Sequence, residues 1–205
     1  MSGSIPPDDH HRDVTGGWLR PAVFGAMDGL VSNFALMAGV AGGTAAAGGG
    51  RAAVVLAGLA GLAAGAFSMA AGEYTSVASQ SELAEQEFEN ERIELSRNAE
   101  GEAKELAQIW VRRGVDLELA EEVARQLGRN PEAALEVHAR EEIGLAPGEL
   151  PNPWVAAGSS FLAFALGALV PLLPYLFGAQ TLVISAVLSV IGEGKHNTLA
   201  IANAL

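Results

Sequence analysis

AAVVLAGLAGLAAGAFSMAAG, residues 52 to 72, contains no charged side chain. A helix rises about 1.5 Å per residue, so about 20 apolar residues cross the ~30 Å hydrocarbon core of a bilayer. This stretch meets that length. Residues 29 to 50 are also uncharged, as are residues 155 to 192. The third stretch is about twice the length that one span needs. It contains the turn-like PLLPYLFGAQ (171–180), so it reads as two spans. The alternative for such stretches is the buried core of a soluble protein. The composition argues against it: half of the 205 residues are apolar, only 18% are charged and 25 are Gly. Mean hydropathy is positive.

The charge is segregated. Residues 80 to 153 hold 18 of the 24 Asp and Glu and 8 of the 12 Lys and Arg. The expected fold is therefore all-α: an integral membrane protein of about four spans with a hydrophilic helical insert between spans 2 and 3. Residues 1–17 read as a disordered tail, 18–79 as spans 1 and 2, 80–150 as the insert, and 151–205 as spans 3 and 4. Span 1 is expected over 18–42, span 2 over 52–78, span 3 over 154–177, and span 4 from about 179. Trp154 suits the interfacial position where aromatic residues collect. Arg12, Arg20 and the eight basic residues of the insert lie on one side of the spans, and Arg51 alone lies on the other. By the positive-inside rule the tail and the insert are cytoplasmic.

The formal net charge of −12 disfavours nucleic acid and favours cations. There is no Cys, which removes disulfides and thiolate metal sites. The polar, acidic N-terminus is not a secretory signal.

Asp28 is the only charged residue between Pro21 and Gly50. A carboxylate inside a span is expensive and usually marks an ion or proton route. Ser32 and Asn33, on neighbouring turns, could supply further oxygens. Span 2 offers Met69 and, a turn on, Glu73. A soft thioether beside a hard carboxylate suits a borderline ion such as Fe²⁺ or Mn²⁺ better than Ca²⁺. Met69 alone reads more often as packing, and Glu73 equally as an interfacial carboxylate. Gly25 with Gly29, and Gly61 with Gly65, have the four-residue spacing that lets helices approach closely in lipid.

The punctuation of the insert predicts four helices. The first continues from span 2 to about Arg97. The second covers 99–113, the third runs from Asp116 to Gly128, and the fourth opens at Asn130-Pro131-Glu132 and ends at Gly144. Glu91 and Glu94 are three apart, as are Glu102 and Glu105, so each pair shares a helix face. Two such pairs across a hairpin, with Glu142, would form an oxygen-rich pocket for a divalent cation. By spacing alone, a solvated acidic helix is the better reading. The insert contains no Glu-x-x-His, which argues against a ferritin-like di-iron centre. His138 is a candidate extra ligand, although a lone surface histidine more often has no such role.

DGLVSNFALMAGVAGG (28–43), GLAAGAFSMAAGEYTSVASQ (61–80), the Glu-rich insert closing in REEIGL, and NPWVAAGSSFLAFALGALVPLLPYLF (152–177) resemble the vacuolar iron transporter family. The resemblance implies a homodimer, not an enzyme, that moves Fe²⁺ and Mn²⁺ out of the cytosol in exchange for protons. The metals would be transported or bound ions, with no prosthetic group. Asp28 and Met69 would be intramembrane ligands, with Glu73 at the cytoplasmic mouth. Glu91, Glu94, Glu102, Glu105 and Glu142 would hold metal in the cytoplasmic domain. The SMAAGEY motif points to a bacterial plasma membrane. The family has five spans, whereas four are expected here, and the segment GEGKHNTLAIANAL departs from the family pattern. The alternative is a membrane-anchored metal buffer or sensor without transport.

Overall fold

The structure, a computed structural model, describes residues 17–45 and 50–178. Six α-helices and one π-helical turn account for its regular structure: α1 (Leu19–Ala45), α2 (Arg51–Arg97), α3 (Ala99–Arg112), α4 (Leu117–Leu127), α5 (Pro131–His138), a π turn (Ala139–Ile143) and α6 (Pro153–Leu176). No strand occurs among the described residues. The all-α reading holds, and α1, α2 and α6 are each long and apolar enough to cross a membrane. The expected fourth span and the N-terminal tail lie outside the described residues. The chain divides into two compact units, residues 1–76 with 152–205, and residues 77–151.

In the first unit α1 packs along α6 through glycine. A Cβ on Gly25 would lie 2.6 Å from the Ser160 carbonyl oxygen. Side chains at Gly29 and Gly167 would collide with the carbonyl oxygens of Phe164 and Ala26. Here the small residues of α1 do bring backbones into contact. Those of α2 make room for side chains instead: Gly61 faces Asn33 and Leu36, and Gly65 faces the Phe164 ring. Met37, Val54, Leu172 and Tyr175 form one buried cluster, and Ala66, Phe164 and Ala168 another.

Asn152 starts α6 by accepting the Trp154 N–H at 2.9 Å, with Pro153 in the first turn. The helix continues through Pro171 and Pro174, and the chain turns at Gly178, where φ is +102°. Arg51 donates to the last carbonyls of α6, Tyr175 at 2.5 Å and Leu176 at 2.8 Å. Those carbonyls lack partners within their own helix, and a guanidinium there also meets the negative end of the helix dipole.

The second unit folds as its punctuation suggests. Asn98 caps α3 by accepting from Gly101 N, and Asn130 caps α5 by accepting from Glu132 N. Leu106, Ala107, Ala120 and Ala124 bury the α3–α4 contact. The expected fourth helix is not regular throughout. After His138 it widens into the π turn, closed by the Gly144 N–H on the Ala139 carbonyl, five residues back, at 3.0 Å. Gly144 takes φ +83°, a left-handed conformation that glycine adopts without steric cost.

Candidate metal centres

Each unit gathers potential metal ligands. In the first, a cavity of about 310 Å³ is lined by Asp28, Ser32, Asn33, Leu36, Gly61, Gly65, Ser68, Met69 and Phe164. Asp28 and Met69, from different helices, thus meet in one space. Glu73 does not line it; it is half-buried further along α2. Asp28 is exposed on α1. The Ser32 hydroxyl donates back to the Asp28 carbonyl at 2.5 Å, a local helix bond. Asn33 is 2% exposed; its Nδ2 donates to the Ala168 carbonyl at 2.8 Å, and its Oδ1 has no hydrogen-bond partner among the described residues.

In the second unit α2 presents Glu91 and Glu94, α3 presents Glu102, and the π turn presents Glu142. Two overlapping groups each place three ligand atoms within 4.8 Å of one another: Glu91 with His138 and Glu142, and Glu91 with Glu94 and Glu102. Glu91 belongs to both. Glu91, Glu94 and Glu142 also line a cleft of about 590 Å³. Glu105 is exposed and belongs to neither group.

His138 is not a surface residue. It is 2% exposed, and its Nδ1 lies 3.1 Å from Glu91 Oε1 and 3.2 Å from Glu142 Oε1. Only the Glu142 contact has hydrogen-bond geometry, and Glu91 Oε1 is left without a hydrogen-bond partner. An imidazole that gives one proton to one carboxylate cannot serve the other at the same time. Glu91 is 7% exposed and Glu102 8%. Burial first, then the Glu142 charge, push the Glu91 carboxyl up to about 7; Glu102 and Glu94 add to this and His138 opposes it. Glu102 is raised too, by burial and then by Glu105, again with His138 in opposition. Carboxylates crowded in this way repel, and either a proton or a divalent cation relieves the repulsion. Together the two groups offer four carboxylates and one imidazole nitrogen. This donor set is hard to borderline and suits first-row divalent ions.

The model of the VIT family matches residues 19–194. The chain belongs to the VIT family. It is 41% identical to a protein of Acanthamoeba castellanii named vacuolar iron transporter, over 80% of this chain and 59% of that protein. It is 35% identical to vacuolar iron transporter 1 of Arabidopsis thaliana, over 84% of this chain and 71% of the relative. To vacuolar iron transporter 2 of Oryza sativa subsp. japonica the identity is 37%, over 82% and 68%. The chain therefore spans roughly three-fifths to seven-tenths of the length of these relatives. The match to the VIT family includes both groups of candidate ligands.

In this VIT chain His138 stands out in sequence only as a lone histidine, for which a surface position is the commoner reading. The available signal was Glu142 four residues after it, on the same face of a predicted helix. Neither the burial of His138 nor the π turn was readable from spacing.

Proposed function

We propose that this chain carries Fe²⁺, and also Mn²⁺, across a membrane in exchange for protons. The observation that carries this reading is the meeting of Asp28, Ser32, Asn33 and Met69 in one cavity between helices long enough to span. Membership of a family whose relatives are named iron transporters supports it. Asp28 supplies charge and a hard oxygen, and Met69 a thioether that favours iron and manganese over alkaline-earth ions. Glu91, Glu94, Glu102, Glu105 and Glu142 collect the ion from the cytosol, Glu105 by charge and the rest as ligands. Glu73 draws cations toward the entrance.

A proton leaves a carboxyl as the metal arrives, and the reverse occurs on release. A carboxyl poised near neutrality, as Glu91 is, makes this exchange possible at physiological pH. Asp28 is exposed on α1 and is the only charged residue from 21 to 50. A carboxylate facing hydrocarbon is costly, so a second copy covering this face, as a homodimer, fits the single chain. The positive-inside bias puts residues 80–150 in the cytosol, and the bacterial look of the SMAAGEY motif makes the plasma membrane the site of action.

A second reading, a metal buffer or sensor, is favoured by one observation. The carboxylate–imidazole cluster is assembled entirely within the second unit. The two readings separate on Asp28→Asn. If the chain transports, this variant loses at least roughly tenfold of its Fe²⁺ flux in proteoliposomes while its helical content is unchanged. Normal flux in a folded variant would remove Asp28 from the ion path.

A further inference from the structure

We infer that Asn33 is a third intramembrane metal ligand, giving the site a neutral oxygen held in position by α6. This rests on the reading of the Asp28–Met69 cavity as the ion site. Of the two neutral polar residues a turn beyond Asp28, Ser32 spends its hydroxyl proton on its own helix. Asn33 faces inward and is buried to 98% by neighbouring helices, its exposure being 2%.

The amide orientation follows from chemistry. A backbone carbonyl can only accept, so the group 2.8 Å from the Ala168 oxygen is the NH₂ of Asn33. The amide oxygen must then point the other way, toward α2. There it lies beside Gly61, where a Cβ would be 2.6 Å from it. Gly61 also lines the cavity that holds Asp28 and Met69. The oxygen has no hydrogen-bond partner among the described residues, and a buried amide oxygen without one costs stability. An oxygen fixed on one side by α6 and given space on the other by a glycine is suited to a cation. Asp28, Asn33 and Met69 would supply a carboxylate, an amide oxygen and a thioether with a single negative charge among them. A divalent ion then keeps a net positive charge at the site and is not trapped there. The amide also has a selective effect. It adds a hard donor, so its loss should weaken an oxygen-preferring ion more than a sulfur-preferring one.

The test uses the full chain in detergent with Glu91, Glu94, Glu102, Glu105 and Glu142 all changed to Gln, so that the insert does not mask the membrane site. Mn²⁺ binding is read by electron paramagnetic resonance and Cd²⁺ binding by competition. The background should hold a Mn²⁺ ion that Asp28→Asn removes. Asn33→Ala should weaken Mn²⁺ roughly tenfold and Cd²⁺ much less, and Asn33→Asp, which keeps an oxygen and the shape, should bind Mn²⁺ at least as tightly as the background. Equal Mn²⁺ affinity in Asn33→Ala and the background would overturn the inference. So would equal loss of both metals with a lowered unfolding temperature, the mark of a packing role, or a folded Asn33→Asp that no longer binds Mn²⁺. Absence of an Asp28-dependent ion in the background would overturn it as well. Because the readout is binding, it is independent of whether the chain transports Fe²⁺.

Discussion

Burial of Glu91 beside Glu142, Glu102 and Glu94 gives the second unit its own dependence on pH. The folded chain holds the Glu91 proton up to about pH 7, against an ordinary value of 4.5. Between those limits the folded state binds more protons than the unfolded state, so metal-free stability falls as pH rises through that window. Metal affinity runs the other way, because the cation competes with the proton for the same oxygens. In EDTA the unfolding temperature of the full chain should therefore drop from pH 5 to pH 8. Glu91→Gln should flatten the drop, and Mn²⁺ should stabilise more at pH 8 than at pH 5. A wild-type profile that rises over this range would contradict the burial argument. At this scale the sequence was legible where a residue broke its local pattern. Asp28 stood out because everything around it is apolar. His138 did not, because its close approach to Glu91 joins residues far apart in the chain, which spacing within its own segment cannot report.

Helix ends were legible wherever a backbone requirement selects one residue type. Asn98, Asn130 and Asn152 sit at helix starts, each accepting a first-turn N–H, and Pro131 and Pro153 follow two of them. Gly114 and Gly144 stand at positive φ where helical segments stop. The π turn was not legible, since no residue type demands it; it joins α5 to Gly144 in the segment that carries Glu142. The glycine spacing in α1 predicted close approach without naming a partner, and the partner is α6. Gly29 is the sharpest case, because an added methyl would meet the Phe164 backbone oxygen, which cannot rotate away. Gly29→Ala should destabilise the α1–α6 contact by roughly 1–3 kcal/mol or more. Gly39→Ala, with nothing within 4 Å, is the control. The thermal unfolding temperature of the two variants in detergent decides this. Equal values would mean that α1 and α6 do not pack as described.

For the whole molecule, the uncharged stretches and the segregated charge were enough to separate an apolar helical unit from an acidic helical one. The residues that matter in each are close in space but far apart in sequence: residue 28 with 69, and 91 with 138 and 142. The family resemblance supplied the pairing of 28 with 69 and of 91 with 142 before the structure did, but not the place of 138, and periodicity could not have done so. Coupled movement of metal and protons is read out by Fe²⁺ entry into proteoliposomes containing this 205-residue chain, with and without an imposed proton gradient. The proposed exchange predicts entry that requires the gradient, is accompanied by proton movement in the opposite direction, and is abolished by collapsing the gradient. Fe²⁺ entry at the same rate without a gradient, or bound Fe²⁺ with no entry in correctly inserted protein, would contradict it.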